Sequence, residues 1–344
     1  MVIQNGTPLL SVEGLFKTYP GRSSLLDRLR GKPRPRLVAL DGVSLALGRN
    51  EVLGLVGESG SGKTTLARCV VRLETPDSGS IVFDGRDVLA SSPAELRQIR
   101  RNVQMIFQDP YTSLNPRMSV RAAISEPALV HGLVDQAGAE ELVRELLERV
   151  GLPASVANLR PRALSGGQRQ RVAIARALAV RPRVIIADEA VSALDVSIQA
   201  QILNLFGELI RDLGLGMIFI AHQLSVIAQL SDRVAIMYLG RIVETGPTAG
   251  VFANPRHPYT AALLEAHPRL DTEKSQEPAL KGEIPSPYAI PRGCRFNTRC
   301  RFAEARCFEI DPPPTEVAPG HRAWCHVLPE LSPLHQTGMG GERK

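Results

Sequence analysis

The segment EVLGLVGESGSGKTTLARCV (51–70) decides the fold of this chain. Its first residues, 51–57, form a short apolar run that ends in glycine, which is typical of a buried strand. A loop of glycine and serine follows, and the next residues predict a helix from about Lys63 to Leu73. Glycines let successive backbone amides turn toward one point at a helix N-terminus, where the helix dipole favours an anion. The segment therefore predicts a strand–loop–helix unit that binds phosphate.

The loop GESGSGKTT (57–65) contains the side chains that phosphoryl-transfer chemistry requires. We expect the Lys63 ammonium to neutralise the terminal phosphates and the Thr64 hydroxyl to ligate Mg²⁺. The sequence thus predicts a nucleotide site with Mg²⁺. The loop residues expected to bind the nucleotide are Gly57, Ser59, Gly60, Ser61, Gly62, Lys63, Thr64 and Thr65.

The composition excludes several classes of protein. The 344 residues are 44% hydrophobic and 22% charged, which provides for a buried core and excludes a globally disordered chain. The net charge of +6 suits a neighbourhood of anionic lipid or phosphate but is too small for the basic stripe of a nucleic-acid-binding protein. The N-terminus does not resemble a secretory signal peptide, and no run approaches the ~18 apolar residues of a membrane-spanning helix. We therefore expect a cytoplasmic protein that does not bind nucleic acid.

Strand-length apolar runs alternate with helix-like stretches along most of the chain. The runs are VQMIF (103–107), VIIA (184–187) and MIFIA (217–221), and the helix-like stretches are 139–150, 166–180 and 196–213. This alternation predicts an α/β fold with a mainly parallel sheet. Antiparallel strands are expected near the N-terminus and around Gly240 within 233–245. Prolines and cysteines become frequent from about residue 255, which predicts a tail or a small second domain there.

Two carboxylates follow the strand-like run in VIIADE (184–189). If this strand lies beside the phosphate loop, Asp188 can orient Mg²⁺ and its water ligands. Glu189, one residue further on, is then placed to polarise an attacking water. A strand that ends in Asp-Glu is unremarkable by itself, so this prediction depends on the phosphate loop.

A second loop-to-helix signal occurs in LSGGQRQRVAIARAL (164–178). Ser-Gly-Gly before a helix again predicts an anion-binding helix N-terminus. The chain then has two phosphate-binding loops but one set of carboxylates. Two chains packed head to tail explain this arrangement, because each lends its second loop to the nucleotide of the other.

These motifs, in this order, resemble the ATP-binding cassette (ABC) family over residues 10–246. The resemblance implies a P-loop NTPase core with an antiparallel β subdomain and a helical subdomain at about 111–178. It also implies that two cassettes hold two ATP molecules between them and that each chain caps its partner's nucleotide. The capping residues would be Ser165, Gly166, Gly167 and Gln168.

The resemblance also implies roles for four other side chains. Tyr19 in KTYP lies where the family stacks an aromatic ring on adenine, and Gln108 in IFQDP lies in the Q-loop. A Q-loop glutamine contacts Mg²⁺ and the lytic water and faces the membrane subunit. Asp195 in SALD matches the D-loop, and His222 in AHQLS matches the switch histidine. The resemblance thus implies a catalytic set of Lys63, Gln108, Glu189 and His222.

The chain departs from the family pattern at two positions. Ala190 follows Glu189 where importers of the family mostly have proline, and Gln223 follows His222 where they mostly have aspartate. Neither change removes a catalytic group. We expect the local rigidity and the hydrogen bonding of the switch to differ.

Three stretches resemble the ATPases of the dipeptide/oligopeptide importer group, which includes nickel importers. They are FQDPYTSLNPR (107–117), ALDVSIQAQILNL (193–205) and NPRHPYTAALL (254–264). This resemblance implies a nucleotide-binding domain over residues 1–255 and an importer-type extension over 256–344. A basic insertion at 21–36 is either a solvated surface loop or a surface that contacts anionic lipid or a partner.

The importer group implies several partners. ATP hydrolysis would drive import of dipeptides or oligopeptides through two separate transmembrane subunits, which dock near Gln108 and residues 110–120. The chain would pair with a second, similar ATPase or with its own copy at the cytoplasmic face of the membrane. An extracytoplasmic binding protein would deliver the substrate. The alternatives are an importer of nickel or another solute, an exporter, and an ABC protein that acts on ribosomes or DNA.

Four of the five cysteines lie in the C-terminal extension; Cys69, the fifth, is expected in the core. A reducing compartment disfavours disulfides, and the spacing lacks the short CxxC pairs of structural zinc sites. Four thiolates can hold an iron–sulfur cluster, and the resemblance implies a 4Fe–4S cluster in some members of the group. An iron–sulfur cluster, a zinc ion and unligated cysteines therefore all stay open. The four residues are Cys294, Cys300, Cys307 and Cys325.

Overall fold

The computed structural model describes residues 7–21, 34–108, 113–192, 194–266 and 282–328. Most of the basic insertion at 21–36 and the first residues of the docking segment 110–120 lie outside the described residues.

The larger of two sheets has eight strands among the described residues. In sheet order they are Pro314–Ala318 (β11), His321–Trp324 (β12), Arg241–Pro247 (β10), Arg233–Tyr238 (β9), Val52–Val56 (β3), Gly216–Ala221 (β8), Val184–Asp188 (β7) and Val103–Ile106 (β6). The strands β9, β3, β8, β7 and β6 run parallel, whereas β10, β12 and β11 add antiparallel to the β9 edge. The predicted mainly parallel sheet is confirmed.

The smaller sheet is antiparallel and comes mostly from the N-terminal part of the chain. In sheet order its strands are Arg36–Leu47 (β2), Leu10–Pro20 (β1), Ser78–Phe83 (β4) and Arg86–Asp87 (β5). The antiparallel strands predicted near the N-terminus and around Gly240 are both present.

The described residues form nine α-helices. They are Lys63–Val70 (α1), Pro93–Asn102 (α2), Val120–Val130 (α3), Gln136–Arg149 (α4), Gly166–Leu178 (α5), Val196–Leu213 (α6), Leu224–Leu230 (α7), Thr248–Ala253 (α8) and Pro258–Glu265 (α9). Helix α1 ends earlier than predicted because Arg72 adopts a left-handed φ of 52°. Helix α4 begins earlier than predicted because the Asp135 side chain caps it, accepting the Gly138 N–H at 2.8 Å. None of these described helices is long and apolar enough to cross a membrane.

The central strands are buried on both faces, which explains their continuous apolar runs. Successive side chains of β3 point to opposite sides of the sheet. Val52 and Val56 pack in the cluster that contains α3 to α6, while Leu53 and Leu55 pack in the cluster formed with α1 and the smaller sheet. The sheet thus divides the core and fixes β3 between two layers.

The C-terminal extension joins the larger sheet through β12. Glu244 on β10 is fully buried and pairs in register with Ala323 on β12. Its carboxylate accepts the backbone N–H of Arg256 at 2.8 Å and of His257 at 2.9 Å, and it lies 2.7 Å from Nε2 of His321. One carboxylate therefore fastens the extension to the sheet edge.

Replacing Glu244 should loosen this attachment. Glu244→Ala leaves buried donors without an acceptor, so the free energy of unfolding should fall by about 3 kcal/mol. Urea denaturation monitored by circular dichroism measures the change. The matched control is Glu316→Ala on β11, an exposed carboxylate, which should change the stability by less than about 0.5 kcal/mol. Equal effects of the two variants would contradict the role of Glu244.

Candidate nucleotide site

The predicted site residues follow the carboxyl ends of four adjacent parallel strands. Gly57 follows β3, Gln108 lies two residues after β6, Asp188 ends β7, and His222 follows β8. The register aligns these ends, since Val56 pairs with Ala221 and Asp188 with Ile220. In open α/β sheets, ligands bind outside the carboxyl ends of the strands. The sheet thus brings together residues that are up to 165 positions apart in the sequence, as the numbers of Gly57 and His222 show.

The phosphate loop passes very close to neighbouring backbone. A Cβ on Gly57 would lie 2.2 Å from the carbonyl oxygen of Met237 on β9. A Cβ on Gly62 would lie 2.4 Å from the carbonyl oxygen of Ala39 on β2, and Gly62 has a left-handed φ of 105°. Gly57 therefore requires glycine because the backbones lie so close together. Gly62 requires it for that reason and also for its left-handed conformation.

Lys63 is 5% exposed and its ammonium points back into the loop. Its Nζ donates to the carbonyl oxygens of Gly57 at 2.7 Å and Glu58 at 3.0 Å. Burial lowers the pKa of Lys63, and the nearby carboxylates of Glu189 and Asp188 partly oppose that effect. The ammonium therefore lies over the concave side of the loop, close to both carboxylates.

Thr64 and Asp188 form an oxygen-rich pair at the mouth of the loop. The Thr64 hydroxyl donates to Oδ1 of Asp188 at 3.2 Å, and Asp188 is 2% exposed. Burial raises the pKa of Asp188, while the Thr64 hydroxyl lowers it. A hydroxyl and a carboxylate are the donors that Mg²⁺ prefers, so these residues fit this ion.

Glu189 lies close to Gln108 and His222, two other residues of the predicted catalytic set. Its Oε2 accepts a hydrogen bond from Nε2 of Gln108 at 2.6 Å and lies 3.9 Å from Nδ1 of His222. Glu189 has a left-handed φ of 49°, which is uncommon for a residue with a long side chain and often occurs at functional sites. The carboxylate is held where the ends of β6, β7 and β8 meet.

The two departures from the family pattern occupy definite environments. Ala190 is 3% exposed and packs in the core next to Glu189. Oε1 of Gln223 accepts a hydrogen bond from Nε2 of Gln199 on α6 at 3.3 Å. The residue after His222 is thus linked to the helix that follows Asp195.

Tyr19 lies at the end of β1, close to the start of α1. It shares a side-chain hydrogen bond with Thr65, and the Lys17 ammonium lies 5.1 Å from its ring centroid. Burial raises the pKa of Tyr19, and the hydrogen bond to Thr65 opposes this. The ring is partly exposed beside the phosphate loop, where the resemblance implies an adenine.

The Ser165–Gln168 turn forms the N-terminus of α5. The Ser165 hydroxyl accepts the Gln168 N–H at 3.3 Å, and the Gln168 side chain accepts the Ser165 N–H at 3.0 Å, which completes a capping box. These hydrogen bonds are local, and within the described ranges none joins the turn to the phosphate loop. Asp195 is exposed at the N-terminus of α6 and makes no side-chain cap hydrogen bond.

A cavity of about 510 Å³ opens beside the Thr64–Asp188 pair. Sequence reasoning missed two of the basic residues at its wall, Arg68 on α1 and Arg176 on α5. The Arg176 guanidinium donates to the carbonyl oxygen of Ser113 at 2.5 Å. No motif marks these arginines, because only the folded chain brings α1 and α5 to one cavity.

The four extension cysteines share one region, but they do not form a metal site in this structure. Across the described ranges, no group of three or more His, Cys, Asp or Glu side chains is arranged to hold a metal ion. Burial raises the pKa of Cys294 to about 12, and burial also raises the pKa of Cys300 and Cys325. Cys294 and Cys300 are partly buried and lie against the main core. The prediction of an iron–sulfur cluster or zinc ion at Cys294, Cys300, Cys307 and Cys325 is therefore not supported.

The chain matches two known families. Residues 40–192 match the family described as ABC transporter. Residues 243–307 match the oligopeptide/dipeptide transporter C-terminal region. The oligopeptide transport ATP-binding protein AppF of Bacillus subtilis is 46% identical over 95% of this chain and 99% of its own length. A putative peptide import ATP-binding protein of Brucella ovis is 48% identical over 93% of this chain and 98% of its own.

The chain belongs to the ABC transporter ATP-binding family. Among solved structures, the ATP-binding cassette MJ0796, a dimer in a post-hydrolysis state bound to ADP and Pi, is 27% identical. It superposes with a TM-score of 0.61 over 70% of this chain and 98% of that chain. The predicted ABC-type α/β fold is thereby confirmed, and this ABC protein is an ATP hydrolase with ATP and Mg²⁺ as its expected ligands.

Replacing Lys63 tests the phosphate loop of this ABC ATPase directly. Lys63→Ala removes the closest cation to the phosphates, so the dissociation constant for ATP should rise about 100-fold, which is ~2.7 kcal/mol. A fluorescent ATP analogue measures the binding. Arg144→Ala removes an exposed cation on α4 and should leave the affinity unchanged. Unchanged ATP affinity in Lys63→Ala would contradict the assignment of this loop.

Proposed function

We propose that this chain is the ATPase subunit that powers import of dipeptides or oligopeptides through separate transmembrane subunits. The observation that carries the proposal is the union of two parts in one fold. An ATP site lies at the carboxyl ends of the parallel strands, and a C-terminal region of the peptide-transporter type is built onto the same sheet through β12. The similarity to an oligopeptide transport protein and to a putative peptide import protein supports the choice of substrate.

ATP binding is assigned to the phosphate loop and its neighbours. The backbone amides of residues 57–65 enclose the phosphates, Lys63 neutralises them, and Tyr19 stacks on the adenine. Thr64, Asp188 and Gln108 would hold Mg²⁺. When bound, this ion neutralises charge on the β- and γ-phosphates. Burial of Asp188 and its bond to Thr64 support this assignment, because the pair is already oriented toward the loop.

Hydrolysis requires a base close to the γ-phosphate, and Glu189 is assigned that role. Its Oε2 accepts a hydrogen bond from Gln108, and the remaining acceptor sites of the carboxylate can accept a proton from the attacking water. His222, 3.9 Å from the same oxygen, is placed to contact the γ-phosphate and to keep Glu189 in position. Gln108 thereby links the state of the base to the segment that follows β6.

A complete site requires a second cassette. The Ser165–Gln168 turn lies at a helix N-terminus with Ser165 exposed and the other three residues partly exposed, a position suited to binding a phosphate supplied by a partner. Val196, next to Asp195, is 84% exposed, so it is available for contact with a partner. The partner is a second, similar ATPase or another copy of this chain. Two transmembrane subunits complete the transporter at the cytoplasmic face of the membrane, and an extracytoplasmic binding protein supplies the substrate.

Purification of the complex from native membranes tests this proposal against its rivals. Hydrophobic permease subunits and a substrate-binding protein should copurify, and reconstituted complex should show ATP hydrolysis that is stimulated by peptide-loaded binding protein. Stimulation by nickel or another solute instead would establish the alternative importer. Purification with ribosomes, or without permeases, would contradict the importer function.

Replacing the proposed base should separate ATP binding from hydrolysis. Glu189→Gln keeps the shape but cannot accept a proton, so the hydrolysis rate should fall ~1,000-fold while ATP binding persists. Phosphate release and sedimentation with ATP measure the rate and the accumulation of a closed dimer. The control Glu208→Gln changes an exposed carboxylate on α6 and should hydrolyse ATP normally. Normal turnover in Glu189→Gln would contradict its role as base.

The iron–sulfur cluster stays a prediction. The thiols of Cys300, Cys307 and Cys325 are close enough to Cys294 to raise its pKa further, so the four residues do share one region. Anaerobic purification followed by iron, sulfide and zinc analysis decides among the cluster, zinc and unligated thiols. About four iron and four sulfide per chain would establish the cluster. If the protein contains neither iron nor zinc, the cysteines are unligated.

A further inference from the structure

Three aromatic rings connect the C-terminal extension to the strand beside the phosphate loop. Tyr238 ends β9, Tyr259 lies on α9, and Phe296 lies between the first two extension cysteines. Their ring centroids are 4.6 Å apart for Tyr238 and Tyr259 and 5.4 Å for each ring to Phe296. Tyr238 and Tyr259 are at most 1% exposed. These buried rings thus form a rigid support next to the phosphate loop.

The Arg299 side chain packs against these rings. Its guanidinium carbon lies 5.8 Å from the ring centroids of both Tyr238 and Phe296, within the range of cation–π attraction. Nη1 also donates to the Tyr238 hydroxyl at 3.3 Å. The side chain is only 4% exposed, so its position is fixed by packing.

The fixed guanidinium holds Glu58, the second residue of the phosphate loop. Nη1 of Arg299 lies 2.8 Å from Oε2 of Glu58, and Nη2 lies 3.1 Å from Oε1, which is a bidentate pair. The Tyr259 hydroxyl accepts the backbone N–H of Glu58 at 2.9 Å. The Glu58 carbonyl oxygen accepts from Lys63 at 3.0 Å. The extension therefore binds Glu58 at both its backbone and its side chain.

Because Glu58 lies in the phosphate loop, these contacts affect how the loop binds the nucleotide. Glu58 precedes Ser59 and Gly60 in the loop whose amides face the phosphates, so its orientation determines where those amides point. Its carboxylate is only 21% exposed. Without Arg299, the Glu58 carboxylate would be a partly buried charge that has lost its bidentate partner. Because such a charge is stabilised by water, the loop would move to expose it.

We propose that Arg299 is a positioning residue for ATP binding, through which the C-terminal extension holds the phosphate loop in its binding conformation. This inference rests on the proposed use of the loop for ATP. Coupling between two sites is reciprocal, so ATP in turn stabilises the extension around residues 293–300. The extension is then part of the ATPase mechanism as well as a structural addition to the sheet.

Four variants of the full chain test the coupling. Arg299→Ala should raise the dissociation constant and the KM for ATP about tenfold, with kcat changed less than about threefold, because binding geometry rather than the base is affected. Arg299→Lys keeps the charge but loses the bidentate geometry, and should recover only part of the affinity. Glu58→Gln leaves the extension intact and should also weaken ATP binding. Arg301→Ala, an exposed arginine two residues away that pairs with Glu265 at 3.5 Å, is the matched control and should bind ATP normally.

Two further measurements separate positioning from simple loss of structure. Because Glu58 and Arg299 act together, the effects of Glu58→Gln and Arg299→Ala on ATP affinity should be strongly non-additive in the double variant. Hydrogen exchange should show that ATP slows exchange at residues 293–300 in the parent chain but not in Arg299→Ala. If Arg299→Ala fails to fold, Glu58→Gln is used for the hydrogen-exchange measurement, and Arg299→Lys replaces Arg299→Ala in the double variant.

The inference is overturned if Arg299→Ala, or Glu58→Gln in its place, binds ATP within about twofold of the parent. Additive effects in the double variant, or equal protection of residues 293–300 in parent and variant, would overturn it as well. Failure of the ATP site itself gives a different result, because the parent chain would then not bind ATP at all.

Discussion

The close packing of the phosphate loop against two strands is the constraint on which the site depends. Gly57 lies against the carbonyl of Met237 on β9, and Gly62 lies against the carbonyl of Ala39 on β2. The first contact comes from the parallel sheet and the second from the antiparallel sheet. The loop is thus held between the two sheets, and its amides and Lys63 have a fixed direction. A residue with a Cβ at either glycine would push the loop away from the strand that the glycine approaches.

The parallel order of the strands then determines the chemistry. Each strand that runs beside β3 ends at the same edge of the sheet, so the residues that follow β6, β7 and β8 face one loop. This brings a hydroxyl–carboxylate pair, a second carboxylate, an amide and an imidazole within hydrogen-bonding or near-contact distance of one another. The fold therefore supplies the residues proposed as metal ligands and as base without any dedicated binding domain.

The C-terminal extension joins the larger sheet at the edge opposite β6. It adds β12 next to β10, and the Glu244 carboxylate accepts hydrogen bonds from the backbone N–H groups at this junction. Because β10 is paired with β9, whose last residues touch the phosphate loop, the extension lies within one strand of the nucleotide site. Its aromatic rings and Arg299 are close to Glu58 for this reason. Of the four cysteines in this extension, Cys307 and Cys325 are buried and Cys294 and Cys300 are partly buried. Burial raises the pKa of Cys294, Cys300 and Cys325.

The sequence by itself determined the elements that depend on local patterns. Apolar runs predicted β3, β6, β7 and β8, because strands buried on both faces have no polar positions. Glycine spacing and the Lys63–Thr64 pair predicted the phosphate loop, and the order of motifs identified the family. The helix ends were less accurate, because capping by Asp135 and the left-handed turn at Arg72 depend on single side chains and backbone angles.

Only the tertiary structure decided which distant residues meet. The contact of Glu58 with Arg299 joins residues 241 positions apart, and no local pattern encodes it. The cavity arginines and the buried Glu244 were missed for the same reason, since burial and pairing arise when separate elements pack. The environment of the extension cysteines was decided there as well: their spacing permitted a metal site, but among the described residues they form no metal-ligand arrangement, and only two of the four are buried. Sequence patterns specify which chemistry a chain carries, whereas the distances and burial that activate or silence it are properties of the packed fold.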